Sequence, residues 1–219
     1  MKKKISLLTA LFAMMVTFLS SCGGNSENYE GLTPEERDAV NYVKHHLERK
    51  EKLIEFEIAR GPMPAELMTD AFKKYRDGVN KAGMDFNSCQ VRGIESGMQK
   101  ALEKIAEAQN EIVTKCDQWR IEQGTSEFLF VLATYRTAGN PQPGTAKLIA
   151  AFNPVTHQND FMLHLTKPVV NNAAMIYNAL NGTLFEYATN QSEDLKTLAS
   201  KVENPVIKFI FEADPSTVR

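Results

Sequence analysis

The spacing of the apolar residues changes near Gly124, and this change restricts the fold more than any other feature of the chain. Before Gly124, apolar residues recur every three or four positions, as they do along one face of an α-helix. After it they alternate with polar residues or form short continuous runs, as in β-strands. The sequence therefore predicts an α+β protein, with a helical layer over residues 32–124 and a β-rich part over residues 125–219, together in one domain.

Three helices are predicted in the helical layer. The first begins at Thr33, with Glu36 three positions later in a capping box, and its apolar stripe extends to Ile58. The second is predicted to end near Gly83, and the third is long and ends at Gly124, because glycine commonly follows the last turn of a helix.

An antiparallel sheet of about five strands is predicted after Gly124, with the first strand buried on both faces. Residues 171–182 fit either a hairpin turn or a helix, and their alanines favour a short helix; a further helix is predicted after Ser192. A long helix lying across such a sheet resembles cystatin-like folds, a likeness of architecture that implies no function. The predicted strands are 127–136, 145–152, 160–166, 183–188 and 206–212.

The first 22 residues have the features of a bacterial export signal. Three lysines precede an uncharged apolar run that ends at Leu19 and would be about 22 Å long as a helix, shorter than the roughly 30 Å of bilayer hydrocarbon. The next residues, Ser20-Ser21-Cys22, complete a segment that resembles the lipobox of bacterial lipoproteins. The resemblance implies that the signal peptide is residues 1–21 and that Cys22 carries the lipid, with diacylglycerol and palmitate-type acyl chains. A membrane span and an ordinary signal peptide are the alternatives.

Residues 22–31 are small and polar, and a flexible tether of this length reaches about 16 Å. Gly23 takes the place of the aspartate that tends to retain such lipoproteins in the inner membrane, so we expect the outer membrane, facing the periplasm or the cell surface. Loss of the three leader lysines leaves 22 basic residues against 27 acidic ones. This mild acidity, without a basic stripe, argues against binding to nucleic acid.

Cys89 and Cys116 remain once Cys22 carries a lipid. An oxidising periplasm favours a disulfide, but one continuous helix would separate the two residues by roughly 40 Å, far beyond the reach of a bridge. We therefore predict two separate thiols, with a chain reversal near Gly93 or Gly97 as the condition for pairing.

The sequence contains no recognisable motif for catalysis, a cofactor or a metal site. His45 and His46 are adjacent in a predicted helix, so their side chains diverge and cannot chelate together. They are predicted to lie on a solvated, charged face.

His164 is the best candidate for contact with a ligand, because it lies mid-strand on the same predicted face as Met162. With Phe152, these residues would line a cavity between the sheet and the long helix. The alternative is a half-buried histidine that is hydrogen-bonded to a neighbour.

Together these observations predict a non-catalytic, lipid-anchored protein of the cell envelope, which binds a protein partner or acts as a scaffold at the membrane. The alternative is a small-molecule or lipid-binding module with the cavity described above. A hydrolase is the least favoured function, because no predicted cluster of carboxylates or histidines would support it.

Overall fold

A computed structural model of the chain describes residues 29–124, 126–138, 144–153, 155–156 and 158–213. The predicted signal peptide, Cys22, most of the tether and His157 lie outside these residues. The described elements are α1 (Pro34–His46), β1 (Lys52–Gly61), a 3-10 helix (Ala65–Leu67), α2 (Thr69–Arg92), α3 (Glu95–Gln123), β2 (Phe128–Arg136), β3 (Thr145–Phe152), β4 (Asn159–His164), α4 (Lys167–Leu180), α5 (Leu184–Ala188), α6 (Leu195–Lys201) and α7 (Pro205–Phe211).

The α+β class is confirmed, but the described sheet has four strands rather than five. Its order is β1-β2-β3-β4, and each neighbouring pair is antiparallel. Strand β2 is central and is covered on both faces, as predicted, since every residue from Phe128 to Ala133 is buried.

The predicted division of the chain at Gly124 is too simple, because β1 lies in the first half. The capping box of α1 is present as predicted, but the helix ends at His46 instead of continuing to Gly61. Ile54 and Ile58 are four residues apart, a spacing that fits both a helix and a strand. The alternation of Phe56 and Ile58 with exposed glutamates between them is the strand signal that decides the structure.

Two predicted strands are helices. Residues 206–212 alternate in hydrophobicity, but Pro205 occupies the first turn of α7, and the Asn204 side chain accepts hydrogen bonds from the two following amides. Val206 and Ile207 are buried together with the residues one turn later, which is the helical pattern. Residues 183–188 form the short helix α5 instead of a strand.

The ambiguous segment 171–182 lies within helix α4, in agreement with the favoured prediction. Helix α6 is also present, but Asp194 caps it instead of Ser192: the Asp194 carboxylate accepts from the Thr197 amide and hydroxyl at 3.0 and 2.9 Å. These bonds lower the pKa of Asp194.

Helix α2 passes through Gly83 and ends at Gly93, ten residues later than predicted. Gly93 has a φ of 68°, and the amides of Gly93 and Ile94 donate to carbonyls of the last turn, the pattern of a Schellman motif. The chain reverses there, so α2 and α3 form an antiparallel hairpin.

Both Cys89 and Cys116 are free thiols, as predicted, although the reason differs. The chain does reverse at Gly93, but Cys89 is near the turn and Cys116 is near the other end of the hairpin. The separation along the hairpin axis is about 28 Å, again too long for a disulfide.

Helix α4 is the centre of the structure, because it packs on both sides. Val170 and Ala173 share a buried core cluster with Phe128, Phe130 and Leu132, whose side of the sheet we call the α4 face. One turn later in α4, other residues pack against the α2–α3 hairpin and α5. The long helix α3 is thus separated from most of the sheet by α4, which differs from the predicted arrangement. The α4 residues that pack against the hairpin are Met175, Ile176 and Ala179.

Candidate functional site

The three residues predicted to contact a ligand lie on the opposite side of the sheet, the α1 face, defined by Leu129, Val131 and Tyr135. Helix α1 covers this face. Phe152 is buried there and packs edge-on against Tyr42 of α1, with ring centroids 5.5 Å apart. The partner layer is therefore α1 and not the long helix, and Phe152, Met162 and His164 line neither of the two clefts described below.

His164 has a neighbouring side chain as its partner. The Tyr135 hydroxyl on β2 and the His164 Nδ1 on β4 form a hydrogen bond of 2.8 Å across strand β3, where the small Ala146 lies between them. His164 is otherwise exposed, so the ring is held by Tyr135 at the edge of the α1 face.

His45 and His46 are exposed, as predicted, and they lie in the last turn of α1. Their Nδ1 atoms lie 2.7 and 2.8 Å from the carbonyl oxygens of Asn41 and Tyr42, four residues earlier. Both rings are therefore held against the preceding turn of their own helix. Within the described ranges, no group of three or more histidines, cysteines or carboxylates is arranged to hold a metal ion.

A cleft of about 320 Å³ lies where the segment between β1 and α2 meets the end of α3 and the start of α7. Pro62, Met63 and Pro64 give this segment an extended path, because proline disfavours helix at the preceding residue. The 3-10 helix that follows holds Glu66 in one wall. The remaining lining residues are Ala65, Arg120, Gln123, Gly124, Asn204 and Ile207.

Glu66 is the most unusual group of the cleft. It is only 5% exposed, and burial raises the pKa of its carboxyl, while its own backbone amide and Arg120 lower that pKa to a smaller extent. Among the described residues, no other side chain donates a hydrogen bond to the Glu66 carboxyl, and no ion pair joins it to Arg120. A buried acid without such a partner is costly for stability, and such groups concentrate at functional sites.

A smaller cleft of about 180 Å³ continues from the first, since Met63 and Gln123 line both. Most of its lining residues are apolar or aromatic, and they come from the end of α3, the segment between β1 and α2, and the edge strand β4. Trp119 also packs against the core clusters on both sides of α4 and so connects the two layers. The other lining residues are Leu67, Met68, Asp160 and Phe161.

Sequence reasoning did not identify Glu66 or Arg120 as site residues. The one local signal was a single acid within the otherwise apolar run from Pro62 to Met68. If the run is buried, the carboxylate loses its water, and if the carboxylate is exposed, its apolar neighbours are exposed with it, so either arrangement costs stability. Arg120 and Asn204 carry no such signal, because their position opposite Glu66 depends on the tertiary fold.

The turn of the α2–α3 hairpin is a second candidate site. None of residues 84–100 is buried, and we call residues 84–102 the hairpin end. The T-shaped contact of Phe86 with Phe185, at 5.3 Å, is near its base, and the turn at Gly93 extends about 10 Å farther. Its exposed apolar side chains are Met84 at 65%, Val91 at 89%, Ile94 at 43% and Leu102 at 36%.

The hairpin end is rigid as well as apolar. A Cβ built on Gly97 would lie 2.4 Å from the Cys89 Sγ, so the two helices are in close contact next to the turn. Together with the Schellman motif at Gly93, this contact fixes the relative position of the exposed side chains.

No helix in the described part of the chain combines the length and the apolar character that crossing a membrane requires. Comparison of the chain with protein-family models, with curated proteins and with solved structures finds no match.

Proposed function

We propose that this protein is a non-catalytic, lipid-anchored protein of the cell envelope that binds a protein partner through the hairpin end. The observation that carries the proposal is that four of the six exposed large apolar side chains of the described residues lie in the hairpin end, two of them, Val91 and Ile94, next to its turn. Exposed apolar residues that are grouped at one site mark interaction surfaces, whereas isolated ones are ordinary.

The charges around these side chains favour a protein partner over an anionic membrane. Acidic Asp85 and Glu95 are interspersed with basic Arg92 and Lys100, so the hairpin end has no uniformly basic surface. Attraction to anionic lipid needs a cluster of lysines and arginines, whereas a protein interface commonly combines an apolar centre with a rim of both signs.

The position of the tether supports the same partner. Tyr29 packs near Phe56 on the α1 face, with ring centroids 6.5 Å apart, and its hydroxyl donates to Asn41 of α1. The hairpin lies on the other side of the sheet, beyond α4. With the lipid on Cys22, the chain would approach its membrane from the α1 face and present the hairpin end away from it. The proposed location is the outer membrane, facing the periplasm or the cell surface.

A photo-cross-linking amino acid at Val91, in the full-length chain expressed in its native host, tests the proposal. Val155 is the matched control, because it is also an exposed valine, at 80% against 89%, in the turn between β3 and β4. We expect a discrete cross-linked protein from position 91 and none from position 155.

A second change distinguishes a specific partner from random contact. Ile94→Glu places a charge at the centre of the apolar group and should remove the cross-link from position 91 without unfolding the domain, because Ile94 is partly exposed. An adduct of twice the mass of the chain would identify the partner as a second copy. Equal adducts from positions 91 and 155, or none from either, would contradict the proposal.

A further inference from the structure

We propose that the two connected clefts bind a free α-amino acid with an apolar side chain. The ammonium group would pair with Glu66, the carboxylate with Arg120, and the side chain would occupy the smaller cleft. This binding site is separate from the hairpin end and does not depend on the partner proposed there.

Glu66 supplies the site for a cation. The residue is only 5% exposed, yet it lines the larger cleft, and within the described residues its carboxyl receives no hydrogen bond from another side chain. An ammonium group could donate up to three hydrogen bonds there and would offset the cost of a buried charge.

Arg120 supplies the site for an anion in the same cleft. Its guanidinium is paired with Asp117 at 3.5 Å, but both side chains are at least half exposed, so this pair contributes little and leaves other N–H groups free to bind. A guanidinium binds a carboxylate through two parallel hydrogen bonds. Glu66 and Arg120 place two opposite charges in one small cleft, and a ligand that carries an ammonium and a carboxylate on one carbon matches them.

The dimensions and the lining select a small ligand with an apolar side chain. A cleft of about 320 Å³ lies at the lower end of the range for ligand sites, about 300 to 1,000 Å³, which favours a molecule of the size of an amino acid. Five of the seven residues that line the adjoining cleft of about 180 Å³ are apolar or aromatic, among them Trp119 and Phe161, and they would contact an apolar side chain, while the polar Gln123 and Asp160 complete the lining. Gln123 lines both clefts and provides an amide at the junction.

Isothermal titration of the full-length chain in detergent micelles, with heats from empty micelles subtracted, tests this site. The probes are L-phenylalanine, L-leucine and L-methionine, which are zwitterions with apolar side chains. Two analogues isolate the charges: N-acetyl-L-phenylalanine lacks the ammonium group, and L-phenylalanine amide lacks the carboxylate.

We expect L-phenylalanine to bind the wild-type chain, and its two analogues to bind at least about tenfold more weakly than phenylalanine itself. Glu66→Gln should abolish the preference for L-phenylalanine over its N-acetyl form. Arg120→Gln should abolish the preference for L-phenylalanine over its amide. Glu107→Gln, on an exposed position of α3, is the control and should change neither preference.

The crossed design gives each variant its own readout, so a general loss of folding cannot imitate the result. If Glu66→Gln fails to fold, Arg120→Gln carries the test by itself, because Arg120 is exposed and its replacement leaves the core intact. Absence of binding by all three amino acids to the wild-type chain would overturn the proposal. Unchanged preferences in Arg120→Gln would overturn it as well.

Discussion

Gly83 of α2 lies directly against the carbonyl group of Ala188 in α5. A Cβ built on Gly83 would be 1.8 Å from the Ala188 oxygen and 2.6 Å from its carbonyl carbon. Gly83 was predicted to end the second helix, but its role is to let two helix backbones touch. The neighbouring contact between Phe86 and Phe185 fixes the same pair of helices beside the hairpin end.

Gly83→Ala should therefore destabilise the domain, even though alanine favours a helix more than glycine does. The methyl group meets backbone that cannot rotate away, and overpacking of this kind costs about 1 to 3 kcal/mol in the free energy of unfolding. Gly78→Ala is the matched control, because it lies in the same helix with no atom within 4 Å of its Cβ, and it should stabilise by about 0.5 to 1 kcal/mol. Urea unfolding of both variants measures the difference, and equal stabilities would contradict the close contact.

Some elements could be predicted because their signals lie within a few residues of the chain. The capping box at Thr33, the glycine after α3 and the two-sided apolar strand at Phe128 act over a few residues, and each was predicted correctly in kind. The secondary structure of β1 and α7 was predicted wrongly, because a short apolar run fits both the helical period and the strand period. The tertiary contacts of the segment then decide which structure forms. In α7, Pro205 was the local signal that should have outweighed the alternation.

The clefts could not have been predicted from the sequence. Their walls combine Glu66, Trp119, Arg120, Phe161 and Asn204, which come from four separate segments. None of these segments carries a motif, and the position of each depends on how α3 ends against the 3-10 helix and α7. The candidates that were chosen, such as His164, attracted notice through residue type alone.

Cys22→Ala should abolish lipid attachment. In cells supplied with an alkyne-bearing palmitate analogue, we expect the wild-type chain to be labelled and to enter the detergent phase on phase separation, because its cysteine thiol carries the acyl groups. The variant should lose the label in every case. If its leader is removed by another route, it should stay in the aqueous phase, and otherwise it should keep its leader uncleaved. Cys89→Ala is the control that should retain the label, and labelling of Cys22→Ala would refute the lipobox assignment.

The two remaining thiols should differ in reactivity. Cys89 is partly buried near the hairpin turn, whereas Cys116 is fully buried, and burial raises the pKa of the Cys116 thiol to about 11. Because the thiolate is the reactive form, iodoacetamide at pH 8 should modify Cys89 in the native chain and spare Cys116. After denaturation without reductant, peptide mass spectrometry should find both residues modified. Protection of both until reductant is added would show a disulfide instead.

Titration of Glu66 should contribute a pH dependence to the free energy of unfolding of the wild-type chain. The Glu66→Gln variant should lack this contribution. Burial raises the pKa of the folded-state carboxyl above its ordinary value of 4.5, so the folded chain holds this proton more tightly than the unfolded chain. Between pH 4.5 and the raised pKa, the folded state binds more protons than the unfolded state. The free energy of unfolding contributed by this group must therefore fall as the pH rises through that interval.

Glu66→Gln keeps the shape of the side chain and removes the titration. Relative to the wild type, we expect its free energy of unfolding to be lowest below pH 4.5, to improve as the pH rises, and to reach a constant difference above the raised pKa. Urea unfolding of both chains from pH 4 to pH 8 measures this difference, and Glu107→Gln supplies the control from an exposed position on α3. A difference that does not change with pH would mean that the Glu66 carboxyl has the same proton affinity in the folded and unfolded chains. In that case its burial would not impose the desolvation cost on which a role in binding an ammonium group depends.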